Sequence, residues 1–309
     1  MRNSNSSIKW LALLLVGIML SAFAVGCGTS KDTAKAPADQ PKVTEQKVTI
    51  QQVADKYYAD MGKDVYKISE VDLKAKVDAN DKNLFLIDIR SAEAYATSHI
   101  KGAVNIPFAK VHEYLDKLPA DKDIVIYCVT GQTAGQTVAI MNMYGYKAKS
   151  LNLGFKSGWV GANNFPVDTT PNQLPANVTP AKPDPAIAKI LKDYYVNLPA
   201  NSYKITSKEL QALIDKGEKM QIVDIRSAAD YNAGHIEGAI NIPFAEVNKH
   251  FDEFAKDKPV FIYCVTGQTA GQTVAVLNVI GVNARSLNLG FKLGWTVDKM
   301  PVEISDKAA

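Results

Sequence analysis

The chain carries the same text twice. The run 127–139 (YCVTGQTAGQTVA) recurs unchanged at 263–275, and the run 151–156 (LNLGFK) recurs at 287–292. Asp88-Ile89-Arg90-Ser91-Ala92 returns as Asp224-Ile225-Arg226-Ser227-Ala228, and Asn105-Ile106-Pro107-Phe108-Ala109 as Asn241-Ile242-Pro243-Phe244-Ala245. Every pair keeps the spacing that separates Cys128 from Cys264. A period this long describes two whole domains rather than a solenoid of short repeats. It also fits a length of 309 residues, at roughly 150 residues per domain.

Each copy alternates short apolar runs with helical stretches. The strand-like runs are 84–89, 103–106 and 124–127 in the first copy, and 222–225, 239–242 and 260–263 in the second. Near-continuous apolar runs suit a central parallel sheet covered on both faces, so each domain is predicted to be α/β with helices on both sides. Residues 108–118 and 133–144 are expected helices, the second stopped by Gly145. Each copy opens with an amphipathic stripe at helical spacing: Ile50, Val53, Ala54, Tyr57 and Met61, then Ile187, Ile190, Leu191 and Tyr194. Asp184-Pro185 reads as the N-cap and first residue of the second such helix. These stripes are read as packing faces. The prolines at 171, 175, 180, 183 and 185 mark a semi-stiff linker between the copies. The predicted boundaries are 49–168 and 185–305 for the domains and 169–184 for the linker.

The first 27 residues stand apart. Arg2 and Lys9 precede an apolar run at 10–25, which is the pattern of a secretion signal rather than of a spanning helix. Ala24-Val25-Gly26-Cys27 resembles a bacterial lipobox, with Ala24 where that motif usually has Leu. The resemblance implies that Cys27 carries lipid, anchoring an exported protein at the outer face of the cytoplasmic membrane or cell envelope. Residues 28–48, rich in Lys, Ala, Thr and Pro, read as an unfolded polar tether. Net charge is only +3, with lysines interleaved among Asp and Glu, so no basic face for nucleic acid is expected. No Cys or His lies at ligand spacing from another, so neither a metal nor another cofactor is expected.

With Cys27 assigned to lipid, two of the three cysteines remain, and their contexts are identical. Each ends a strand and precedes a tight loop and a helix beginning near Ala134 or Ala270. Carboxyl ends of strands are where open α/β sheets bind ligands. Unpaired N–H groups at a helix start favour a thiolate. Gly131 and Gly267 allow the backbone to curl its amides toward the sulfur. Thr130 and Thr133, with Thr266 and Thr269, are expected to add hydroxyl donors. An inert buried cysteine would not require the whole loop to survive unchanged while Met141 drifts to Leu277.

These segments together resemble the rhodanese family over nearly the whole of each copy. The matching marks are Asp-Ile-Arg (88–90; 224–226), His-Ile-x-Gly-Ala (99–103; 235–239), Asn-Ile-Pro, the cysteine loop, and Leu-Asn-Leu-Gly…Gly-Trp (151–159; 287–295). The resemblance implies two tandem doubly wound α/β domains. It implies sulfurtransferase activity, in which a cysteine takes a sulfane sulfur from thiosulfate or 3-mercaptopyruvate and passes it to cyanide or a thiol. Cys128 and Cys264 become the nucleophiles. Val129, Thr130, Gly131, Gln132 and Thr133 become one substrate loop, and Val265, Thr266, Gly267, Gln268 and Thr269 the other. Asp88, Arg90, Asp224 and Arg226 become supporting residues; His99 and His235 are read as structural. Many loops of the family carry Arg or Lys for dianionic thiosulfate; neither loop here does, which is the pattern the family associates with 3-mercaptopyruvate. Related phosphatase-type loops end in Arg, where this chain has Ala134 and Ala270. The alternative to a turnover enzyme is a module that carries or senses sulfane sulfur, with a protein as acceptor.

Overall fold

The computed structural model describes residues 48–304. The expected signal segment, Cys27 and nearly all of the tether lie outside the described residues. Among those described, no helix is long and apolar enough to cross a membrane.

The first copy runs α1 (Ile50–Ala59), β1 (Lys67–Ile68), α2 (Glu70–Asp78), β2 (Leu84–Asp88), α3 (Ala92–Thr97), β3 (Val104–Asn105), β4 (Asp123–Tyr127), α4 (Gln132–Tyr144) and β5 (Ala148–Leu151). The second repeats it as α5 (Pro185–Val196), β6 (Lys204–Ile205), α6 (Ser207–Asp215), β7 (Gln221–Asp224), α7 (Ala228–Ala233), β8 (Ala239–Asn241), β9 (Val260–Tyr263), α8 (Gln268–Val279) and β10 (Ala284–Leu287). Each copy forms a five-stranded sheet, in the order β1-β5-β4-β2-β3 and β6-β10-β9-β7-β8. All the pairings are parallel. The two tandem α/β domains are therefore as the sequence implies.

Local chemistry sets the helix ends. Thr49 and Gln52 form a reciprocal capping box on α1, Asp184 accepts from two amides ahead of Pro185 on α5, and Gly145 ends α4 at φ 108°. Two expectations change. Residues 108–118 do not form an α-helix: Phe108–Glu113 is a short 3-10 helix and the chain turns away beyond it. Helix α4 begins at Gln132, two residues before Ala134, because Gly131 at φ 92° supplies the break that the loop needs.

Successive strand side chains point to opposite faces, and this alternation divides the core in three. Val125 and Tyr127 join a cluster belonging to the first domain alone, with Leu73, Tyr95 and Trp159. Phe261 and Tyr263 do the same in the second, with Leu210 and Trp295. Ile124, Ile126 and Cys128 face the other way, as do Ile262 and Cys264, and all five belong to one cluster that runs through both domains. Both cysteines are therefore on the side where the domains meet.

That shared layer is built by helices that cross the predicted boundary. Helix α1 belongs to the first copy by sequence, yet Tyr57 Oη donates to Gln272 Oε1 on α8 at 2.6 Å, and Tyr58 packs edge-on against Phe244 and Phe251 of the second copy. Helix α5 reciprocates: Tyr194 Oη donates to Gln136 Oε1 on α4 at 2.7 Å, and Tyr195 meets Phe108. Tyr58 and Tyr195 fall outside the sequence-derived stripes but are buried, because each opening helix is covered from two sides. The two copies therefore share one packed layer. Between them the linker lies along the first domain, where Asn172 Nδ2 donates to Ala103 O at 3.1 Å and Ala120 N–H donates to Thr179 O at 2.9 Å.

Candidate active site

Strand β4 delivers Cys128 to its carboxyl end, where the chain stops pairing and curls. The nearer donor to Cys128 Sγ is Gly131 N–H, at 3.1 Å; the second is Ala134 N–H, at 3.4 Å, in the first turn of α4. Cys264 has the same partners at the same distances, Gly267 N–H and Ala270 N–H. Both kinds of donor are backbone amides; the threonine hydroxyls expected from the sequence are not among them. Amides fixed by a helix start hold a sulfur anion without side-chain reorganisation. The cysteines are 5% and 4% exposed, whereas Val129 and Val265, next in the chain, are 45% and 40% exposed. The sulfur is thus recessed behind an exposed apolar residue. Neither loop presents a charge.

The turn after the last strand props the loop from beneath. Phe155 N–H donates to Cys128 O at 2.8 Å and Lys156 N–H to Val129 O at 2.9 Å; Phe291 and Lys292 repeat this at Cys264 and Val265. The approach demands a glycine, since a Cβ on Gly154 would stand 2.6 Å from Gly131 N and 2.7 Å from Cys128 O. Lys156 and Lys292, the nearest basic side chains in this turn, are exposed.

Asp88 and Arg90 lie behind that turn. Asp88 Oδ1 accepts from Arg90 N–H at 2.9 Å and from Nε at 3.0 Å, and Oδ2 accepts from Nη2 at 2.5 Å. Nη2 also donates to Ser98 O at 2.6 Å, and Cζ stands 3.8 Å from the centre of the Phe155 ring. Asp224, Arg226, Gly234 and Phe291 repeat the arrangement. Desolvation works against the Arg226 charge, but the Asp224 carboxylate outweighs it, and the pKa rises. Tyr127, its ring also under Arg90, has its pKa pushed well above the usual phenol value by burial and then by the Asp88 charge, so its hydroxyl stays neutral and accepts from Ile100 N–H. These pairs brace the loop and do not touch the sulfur. His99 stacks on Tyr95, with Nδ1 2.9 Å from Tyr95 O and Nε2 3.0 Å from Thr170 O, and His235 stacks on Tyr231, with Nδ1 3.0 Å from Tyr231 O. Both histidines face backbone carbonyls, and His235 Nε2 also stands 3.6 Å from Glu303 Oε2.

Gln132 and Gln268 depart from the sequence reading. Their side chains leave their own loops and enter the opposite domain, where they are nearly fully buried. Nothing local could reveal this, because the direction is set by how α4 crosses α8.

A family model described as a rhodanese-like domain matches residues 69–161 and 206–296, more than half of the chain. The chain belongs to the rhodanese family. Among curated relatives, it is 35% identical over 75 residues to the uncharacterized protein YqhL of Bacillus subtilis, covering 24% of this chain and 60% of that one. It is 27% identical over 110 residues to the thiosulfate:glutathione sulfurtransferase of Saccharomyces cerevisiae, covering 31% of this chain and 79% of the enzyme. Among solved structures, SseA from Escherichia coli, a 3-mercaptopyruvate sulfotransferase with the rhodanese fold, aligns with 72% of this chain and 97% of its own at 20% identity and TM-score 0.36. The chain thus spans less than two thirds of the length of YqhL.

Proposed function

We propose that this protein is a sulfurtransferase with two persulfide-forming sites, Cys128 and Cys264. The observation that carries the reading is the pair of matched amide nests: two backbone donors converge on each sulfur, at a strand end, in a recess. A thiolate held there attacks the transferable sulfur of a donor, the sulfane sulfur of thiosulfate or the thiol sulfur of 3-mercaptopyruvate. From thiosulfate, the S–S bond breaks and sulfite leaves with its electron pair. From 3-mercaptopyruvate, the C–S bond breaks and the departing carbon takes the thiol proton, giving pyruvate. In both cases the cysteine becomes a persulfide anion, which the same amides stabilise. An acceptor thiolate or cyanide then attacks the outer sulfur, and the thiolate returns.

Loops without a basic residue favour a donor of low charge, so 3-mercaptopyruvate is the preferred donor and thiosulfate the poorer one. The exposed Val129 and Val265 offer apolar contact to whatever delivers or removes sulfur, which also suits a carrier handing sulfur to a protein.

Intact-mass measurement after incubation with each donor tests this. Each reduced cysteine is expected to gain one sulfur, Cys128→Ser and Cys264→Ser each to lose one, and the double variant to gain none. Absence of any gain from either donor, with both thiols free, would remove the transferase reading and leave the carrier.

The lipobox-like Ala24-Val25-Gly26-Cys27 supports a further proposal, that the protein is exported and held at the outer face of the cytoplasmic membrane by lipid on Cys27. Cells expressing the full chain are expected to retain it in the membrane fraction and to release it when Cys27→Ser is introduced. Equal membrane retention of both forms would refute the anchor.

A further inference from the structure

The two cysteine loops are joined by a pair of side chains that the sulfur chemistry does not use. Gln268 is the first residue of α8, and its backbone belongs to the loop of Cys264. Its side chain crosses into the first domain. Nε2 donates to Ser150 Oγ at 2.7 Å and to Leu151 O at 3.1 Å, and Oε1 accepts from Leu153 N–H at 3.3 Å. Gln132 mirrors it in the second domain, donating to Ser286 Oγ at 2.7 Å and Leu287 O at 3.0 Å and accepting from Leu289 N–H at 3.2 Å. Each carboxamide uses both its donors and its acceptor, and each glutamine is 1% exposed. A buried amide that is fully paired holds its surroundings in one geometry.

What each glutamine holds is the support of the other domain's sulfur. Ser150 and Leu151 end β5, and Leu153 leads into Gly154, the residue on which the Cys128 loop rests. On its other side the same carboxamide lies against Gly131, where an added Cβ would stand 3.0 Å from Gln268 Cδ. Gly131 supplies the nearer hydrogen bond to Cys128 Sγ. The mirrored contact places Gln132 Cδ 3.0 Å from a Cβ on Gly267, whose amide bonds Cys264 Sγ.

We infer that Gln132 and Gln268 are positioning residues acting across the domain boundary: Gln268 sets the amide nest of Cys128, and Gln132 sets that of Cys264. The inference rests on the reading of both cysteines as nucleophilic thiols. Because the backbone of each glutamine lies in one loop and its side chain supports the other, the two sulfurs are linked in both directions.

The test is alkylation of the full chain by iodoacetamide across a range of pH. No cysteine needs replacing, because the peptides carrying Cys128 and Cys264 differ in their flanks and separate by mass. Gln268→Ala is expected to raise the midpoint of Cys128 alkylation by about half a pH unit, about a threefold loss of rate at neutral pH. Cys264 moves less. Gln132→Ala gives the mirrored result. Gln268→Glu keeps the size and the acceptor but adds a negative charge beside Gly131, so it raises the Cys128 midpoint further than alanine does. Thermal unfolding of each variant is recorded in parallel, and the glutamate variants carry the same crossed comparison if the alanine variants do not fold. A purely structural role leaves both midpoints in place while the melting temperature falls, and that result overturns the inference. So does an uncrossed pattern, in which Gln268 variants move Cys264 more than Cys128. Alkylation needs only a thiol, so crossed shifts without sulfur uptake would remove the sulfurtransferase reading and leave this one standing.

Discussion

Gly135→Ala is expected to lower the stability of the whole protein by about 3 kcal/mol. In an exposed helix the change would favour folding by up to about 1 kcal/mol, because alanine is the better helix former. Here the added Cβ would stand 2.3 Å from the carbonyl oxygen of Gln268, the first residue of α8. Backbone cannot step aside as a flexible side chain can, so α4 and α8 must separate. Gly271 meets Gln132 O at the same 2.3 Å, so Gly271→Ala should behave alike. The double variant should lose less than twice as much, since one separation relieves both contacts. Urea unfolding followed by far-ultraviolet circular dichroism reads the effect. Unchanged or increased stability in either single variant would show that the helices do not meet at these glycines.

The second large effect belongs to Asp88. Its carboxylate lies fully buried against a guanidinium that is itself almost wholly covered. Removing one member of such a pair leaves a buried charge without its partner, and Asp88→Ala is expected to cost about 3–5 kcal/mol. Arg90→Met, which strands the carboxylate instead, should cost a comparable amount. The two together should cost less than the sum, because the double variant no longer buries a lone charge. The damage should also have an address. Arg90 stacks on Phe155, and Phe155 N–H holds Cys128 O, so Asp88→Ala should depress the reactivity of Cys128 more than that of Cys264. Asp224→Ala should do the reverse. Denaturant curves combined with per-cysteine alkylation decide this. Equal loss at both cysteines would place the pair in a general stabilising role instead.

The crossed glutamines and these ion pairs predict opposite addresses. An ion-pair substitution weakens the cysteine of its own domain, whereas a glutamine substitution weakens the cysteine of the other. One assay, applied to four variants, therefore separates support that comes from within a domain from support that comes across the seam.

Much of this molecule is legible in its sequence. The repeat, the alternation of strands and helices, the cysteine at a strand end and the caps at Asp184 and Gly145 follow from local chemistry: turn residues, periodic apolar positions and first-turn hydrogen bonds act over a few residues. Strands β1, β5, β6 and β10 do not show, because Lys67-Ile68 and Lys204-Ile205 are too short and polar to form an apolar run, and Lys149-Ser150 and Arg285-Ser286 interrupt the other two. The 3-10 helix at Phe108–Glu113 does not show either, since over so short a span its apolar spacing matches that of an α-helix.

The largest differences arise where the domains meet. Tyr57 and Tyr194 announce buried helix faces but not which domain buries them, and their partners Gln272 and Gln136 are remote in the chain. Gln132 and Gln268 stand in identical text, inside loops whose other members surround a sulfur, and read as more of the same. By itself the sequence determined the two domains, their apolar strands and the place of each thiol, because those depend on interactions between near neighbours. Only the tertiary structure decided that the opening helices cross the seam and that each loop is braced by the other's glutamine. Those contacts depend on α4 and α8 approaching at Gly135 and Gly271, a distance set by the packing of both sheets at once.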